Sequence, residues 1–163
     1  MKKFNVLIST FFGNGYVSKL PGTFTSLSTL IILYILFEVF NFRNLNYILI
    51  LYSIIFFYSF YAVMDSETEF EIKDPKQIVI DEVLGQAMPL ILIVYLSSHN
   101  LINSPVEIYY IIAFILFRFF DILKPFPVSY FDKNHKNFFG IIMDDIMAGL
   151  YTMILIYLIS LKF

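Results

Sequence analysis

Residues 45–64 run for 20 positions without a charge, enough to cross the roughly 30 Å hydrocarbon core of a bilayer as one helix. Four more apolar stretches accompany it. They are 24–40, broken only by Ser, Thr and a late Glu38; 83–97; 108–120, with Arg118 near its end; and 146–161. The stretches at 83–97 and 108–120 fall below the usual span length, so each reads as a tilted span or a partly buried helix. Hydrophobic residues make up 59% of the 163 and charged residues 15%, against about 45–50% and about 25% in soluble domains. So few charges cannot cover a chain this small in water, which excludes a water-soluble monomer and a disordered chain. A net charge of −2 offers nothing to a polyanion, so nucleic acid is not an expected partner. The expected fold is all-α: a polytopic helical membrane protein of about four to five membrane-embedded helices, one domain over residues 1–163.

Charge sets the expected orientation. With the N-terminus cytoplasmic and five alternating segments, Lys2, Lys3, Lys19, Lys73, Lys76, Arg118, Lys124, Lys133 and Lys136 fall inside, and Arg43 and Lys162 outside. Residues 1–12 have two lysines and a short apolar run, but Gly13-Asn14-Gly15 follows in place of a small-residue cleavage site. An interfacial helix or a retained start is expected there. No cysteine is present, which removes disulfides, zinc–thiolate sites and thiol nucleophiles.

On this topology four polar clusters converge at one membrane face. The first, GNGYVSKLPGT (13–23), is a glycine- and proline-bearing loop in which Thr23 can cap the following helix. Backbone N–H groups at such a helix start suit a phosphate; a plain turn into the first span explains it equally well. The second, DPKQIVIDEVLGQ (74–86), reads as a capping-box start, with Asp74 as cap, Pro75 at the first helical position and Gln77 three after the cap. Asp81 and Glu82 then fall in the second turn, and a kink is expected at Pro89. Two adjacent carboxylates at a membrane boundary are a solvated pair or a cation site. Asp65, Glu67, Glu69 and Glu71 ahead of them read as a solvated loop.

The third cluster, RFFDILKPFP (118–127), spaces Arg118, Asp121 and Lys124 three apart before Pro125 and Pro127 end the helix. It is an intrahelical ion-pair ladder or an anion clamp. In the fourth, GIIMDDIMAGLY (140–151), Asp144 and Asp145 open an otherwise uncharged span. The helix dipole favours carboxylates at a helix start. Ionisable groups entering a membrane helix are also functional candidates, and Ala148-Gly149 lets another helix approach closely. His99 lies outside and His135 in a loop, which argues against a histidine nucleophile. Carboxylates and bases gathered at one hydrophobic–aqueous boundary suit a Mg²⁺-dependent reaction on a lipid-headgroup phosphate.

The strings LPGTFTSL, DPKQIVIDEVLGQ, FRFFDILKPFP and GIIMDDIMAGLY together resemble the phosphatidylglycerophosphatase A family of bacterial membrane phosphatases, in that family's order and spacing. The resemblance implies Mg²⁺-dependent hydrolysis of phosphatidylglycerophosphate to phosphatidylglycerol and phosphate, a step of phospholipid synthesis at the bacterial inner membrane with the site facing the cytoplasm. Its acidic positions fall on Asp81, Glu82, Asp121, Asp144 and Asp145, and its basic positions on Arg118 and Lys124. We assign the carboxylates to metal ligation and catalysis, and Arg118, Lys124, Gly22, Thr23 and Asn14 to the substrate phosphate. The rival readings are another metal-dependent lipid-headgroup phosphatase or phosphotransferase, or a small transporter lined by carboxylates. DDIMAGLY lacks the arginine and the continuation of the CDP-alcohol phosphotransferase signature DGxxAR, and no PSGH or DxDx[TV] box is present. A transporter calls for acids at mid-span, whereas these cluster at helix ends. Substrate lipid and bilayer are the expected partners; nothing in the sequence sets an oligomeric state.

Overall fold

A computed structural model describes residues 2–17, 19–66, 70, 75–134 and 137–162, with backbone alone for 132–134. Every regular element among them is helical: α1 (Lys2–Ser9), a 3-10 turn (Asn14–Tyr16), α2 (Pro21–Tyr34) extended by a π-turn (Ile35–Val39), α3 (Leu45–Ser66), α4 (Ile80–Ser98), α5 (Val106–Leu123), α6 (Val128–Asn134) and α7 (Phe138–Ser160). The chain is a multi-pass helical membrane protein. Among the described residues, four helices are long and apolar enough to cross a bilayer: Pro21–Val39, Leu45–Ser66, Ile80–Ser98 and Phe138–Ser160. The segment at 83–97 thus lengthens into a 19-residue helix. α5 has 18 residues but carries Glu107, Arg118 and Asp121.

Helix boundaries differ from the sequence expectation at three places that matter. α2 starts at Pro21, with Leu20 as its cap; a proline fits the first helical position because its missing N–H has no intrahelical acceptor there. Thr23 therefore lies inside the first turn and caps nothing. α4 starts at Ile80, not at Pro75. The Val79 N–H donates to the Ser9 carbonyl at 2.9 Å, and Val79 sits at φ −144°, so a tertiary bond to the N-terminal segment replaces the expected capping box. Asp74 lies outside the described residues. Asp81 and Glu82 are consequently in the first turn of α4, not the second.

The third difference is at α7, which begins at Phe138, where the Asn137 side chain accepts from the Gly140 N–H at 3.2 Å. Asp144 and Asp145 stand well past the first turn, beyond the reach of the helix dipole. The dipole therefore does not explain them.

α4 is the centre of the bundle, packing on α7, α5, α2 and α3. It runs unbroken through Pro89. The Gly85 carbonyl, which Pro89 deprives of a helical donor, faces Gly149 of α7. A Cβ built on Gly149 would lie 2.6 Å from that oxygen, and one built on Gly85 would lie 2.6 Å from the Asp145 carbonyl oxygen. The two helices therefore meet backbone to backbone, the small-residue packing that drives association where lipid removes the hydrophobic effect. Ala148, also buried, faces Phe117 and Val128.

The remaining helices frame this pair. Asn5 of α1 donates to Asp65 at 2.6 Å and accepts from the Tyr58 hydroxyl at 2.7 Å, tying α1 to the end of α3. Asp65 is thus a helical, hydrogen-bonded residue and not part of a solvated loop; Glu67, Glu69 and Glu71 lie outside the described residues, as does His135. At the opposite end, Glu38 pairs with Arg43 and accepts from the Tyr110 hydroxyl at 3.0 Å, so a charge near a span end is neutralised locally. α5 stops at Leu123 because Lys124 turns left-handed, φ 46°, ahead of Pro125.

Replacing Gly149 with Val should force α4 and α7 apart and destabilise the protein by about 1–3 kcal/mol, the scale of overpacking. Ile54→Val on the lipid-facing side of α3 should stay within about 0.5 kcal/mol. Thermal unfolding in detergent tests this; equal midpoints for the two variants would rule out the close crossing.

Candidate functional site

Helices α2, α4 and α7 begin, and α5 ends, at the same end of the bundle. Between them lies a cavity of about 600 Å³. Gly22 and Thr23 line it from the start of α2, Asp81 and Glu82 from α4, Arg118 and Asp121 from α5, Lys124 from just beyond its end, and Asp144 and Asp145 from α7. Nine of the ten residues singled out in the sequence thus share one chamber. Asn14 is the exception: its side chain donates to the Thr25 hydroxyl at 3.5 Å, and it does not line the cavity.

The five carboxylates fall into two groups. Asp121 accepts from Arg118 at 2.5 Å, and Asp144 from Lys124 at 2.7 Å; the Asp145 N–H adds a 3.0 Å bond to Asp144. The first pair is the predicted i, i+3 contact on α5. The second joins α5 to α7, because Lys124 leaves the helical path in its left-handed conformation and reaches across. Asp81, Glu82 and Asp145 form the other group. Each can offer one oxygen such that all three lie within 4.8 Å of one another.

Three carboxylate oxygens at this spacing repel in proportion to how dry the site is, and a cation is the direct remedy. Asp145 is only 3% exposed, and one oxygen of Glu82 is buried without a hydrogen-bond partner. Oxygen donors of this kind suit a hard divalent ion such as Mg²⁺, so the residues present fit one. The α2 start approaches the same point. A Cβ on Gly22 would meet the Glu82 carboxylate, so the start of α2 lies directly against the cluster.

Arg118 is set by two helices. Beyond its pair with Asp121, its Nη1 donates to the Ser26 hydroxyl at 3.5 Å, while Ser26 donates to the Gly22 carbonyl at 2.9 Å. Its buried Nε has no hydrogen-bond partner. The cap residue Leu20 makes no side-chain bond to the first N–H groups of α2, so the helix start at Gly22 and Thr23 presents donors toward an anion.

Three participants escaped the sequence reading. Lys19 and Lys76 line the cavity beside the named residues, and Ser26 supports Arg118. The lysines had a signal in retrospect: each stands within two residues of a motif proline, in KLP and PK. Ser26 had none, since a serine inside an apolar helix is common.

The chain's relatives agree on one chemistry class. The family described as Phosphatidylglycerophosphatase A matches residues 7–160. A Haemophilus influenzae protein named "Phosphatidylglycerophosphatase A" is 35% identical over 154 residues, 94% of this chain and 87% of that protein. The Escherichia coli protein of the same name is 27% identical over 156 residues, 94% and 82% of the two chains. A Bacteroides thetaiotaomicron protein named "Putative phosphatidylinositol-3-phosphatase" is 36% identical over 152 residues, 93% and 90%. No solved structure matches. The chain belongs to the phosphatidylglycerophosphatase A family and is a phosphatase.

Proposed function

We propose that this protein hydrolyses the terminal phosphate monoester of phosphatidylglycerophosphate to phosphatidylglycerol and phosphate, with Mg²⁺ held by Asp81, Glu82 and Asp145. The observation that carries the reading is the three-carboxylate cluster in a cavity at the ends of membrane helices. The names of the Haemophilus and Escherichia relatives supply the substrate. The lysine distribution supports a site at the cytoplasmic face of a bacterial inner membrane.

Within that reading each group has a role. Arg118 presents its guanidinium to the equatorial phosphoryl oxygens, where charge develops. Asp121 and Ser26 hold it in place, so little reorganisation is needed as the bond to phosphorus breaks. Lys124, positioned by Asp144, offers a second positive charge near the leaving oxygen. The N–H groups of Gly22 and Thr23 add donors to the same anion. Bound by the carboxylate cluster, Mg²⁺ supplies Lewis acidity toward the phosphoryl group and eases deprotonation of water.

Phosphate release from phosphatidylglycerophosphate in mixed micelles tests the reading, with phosphatidic acid and phosphatidylinositol 3-phosphate as competitors. The Bacteroides relative's name makes the last the specific rival. Turnover of phosphatidylglycerophosphate that EDTA stops and Mg²⁺ restores is expected. Preferred hydrolysis of the inositol lipid would reassign the substrate, and EDTA-insensitive turnover would remove the metal.

The sorting of the acids predicts a graded response. Asp145→Asn should abolish phosphate release and weaken Mg²⁺ binding, read by calorimetry, by about tenfold or more, since a charged ligand is lost. Asp121→Asn, which removes the partner of Arg118, should raise KM while leaving Mg²⁺ affinity nearly intact. Equal loss of Mg²⁺ affinity in both variants would mean that all five carboxylates act as one set.

A further inference from the structure

The bases in the cavity are of two kinds. Arg118 and Lys124 are each already paired, with Asp121 and Asp144. Lys19 and Lys76 also line the cavity, are exposed, and form no ion pair among the described residues. Their neighbours locate them. Lys19 precedes Leu20, which lines the same cavity together with Ile122 of α5. Both of these side chains are 68% exposed, an apolar rim suited to acyl chains and not to water. Asp145 of the carboxylate cluster is, by contrast, only 3% exposed.

A lipid headgroup with a terminal phosphomonoester beyond an internal phosphodiester offers a matching set of groups. Its monoester comes first, then a short polyol, then the diester phosphate, then the acylated glycerol. The cavity lining holds a counterpart for each part: the acids with Arg118 and Lys124, the exposed Lys19 and Lys76, and the exposed apolar Leu20 and Ile122.

We propose that Lys19 and Lys76 form a second anion subsite, one that receives the internal phosphodiester and so selects lipids carrying two phosphates over lipids carrying one. The proposal rests on the reading above that the substrate is a lipid phosphomonoester. It adds that the headgroup is measured at two points. Lysine ammonium groups suit such an anion, because they act as point charges toward a diester that bears one negative charge and presents no fixed fork geometry. The selectivity comes from capture, because the diester does not change charge during the reaction. Contacts equal in ground and transition state lower KM and leave kcat.

The experiment compares binding of two soluble headgroup analogues to the detergent-purified protein in the presence of Mg²⁺, by calorimetry. One is a non-hydrolysable phosphonate analogue of glycerophosphoglycerophosphate, with two phosphorus centres; the other is the phosphonate analogue of glycerol 3-phosphate, with one. Wild type should bind the first about tenfold tighter, and Lys19→Ala/Lys76→Ala should bring the two affinities together. Lys19→Arg/Lys76→Arg should restore the difference, and thermal midpoints should match throughout because both side chains are exposed. In kinetics on phosphatidylglycerophosphate, the alanine pair should raise KM by about tenfold, with a far smaller change in kcat. A preference that persists in the alanine pair, or no preference in wild type, would overturn the subsite. The binding arm needs no turnover. Absence of phosphatidylglycerophosphate hydrolysis alongside a lysine-dependent preference would therefore sink the proposed substrate and leave the subsite standing.

Discussion

Everything at the site depends on α4 and α7 touching through their backbones. Both helices start at the same end of the bundle and run parallel. In each, a glycine stands four residues after an acid: Gly85 after Asp81, and Gly149 after Asp145. The equal offset matters. Where Gly85 meets Gly149, the acids one turn back are brought level, and their oxygens converge within 4.8 Å together with Glu82. Larger side chains at the crossing would hold the helix axes further apart and dissolve the cluster without altering any of its members. The site is a consequence of packing before it is a consequence of chemistry.

The cost of this arrangement is electrostatic. Ionisable groups on membrane helices are stabilised by partners or by water-filled space. Here the partners are divided unevenly. Two acids take the bases at the end of α5: Lys124 with Asp144 ties that end to α7, and Asp121 holds Arg118 within α5. The remaining three face each other. A neutral version of the bundle would pack as well or better, since gathering buried charges is costly. Three mutually repelling acids are therefore better explained by something they bind than by stability.

Much of this was legible in the residues. The charge-free run at 45–64 became α3 almost unchanged, the four motifs did converge, and the small residue at 149 did admit another helix. What escaped notice shares a cause. The capping signals at Asp74 and Pro75 are strong locally, yet the bond from Val79 to Ser9 delays α4 to Ile80; a contact between residues 70 apart leaves no local trace. The polar run before Phe138 reads as loop, and hides a helix start that moves Asp144 and Asp145 inward. The spacing of Asp121 and Lys124 suggests a ladder on one helix. A left-handed residue ahead of a proline sends the lysine instead to Asp144.

The inward position of the α7 acids has a further consequence. From Phe138 to Asp145 is seven residues, about 10 Å of helix, so nearly two turns of α7 rise above the cluster, and Gly140 and Ile141 form part of the cavity wall. The exposed Leu20 and Ile122 also line the cavity. For the lipid substrate proposed above, these exposed apolar side chains are ones its own acyl chains would cover. The same recess keeps the carboxylates in a drier setting, where the cation binding and the Arg118–phosphate contact proposed above would both be stronger than in water. On the proposed reading, depth along one helix and exposure on another would favour a phosphate attached to a lipid and sharpen the electrostatics that act on it.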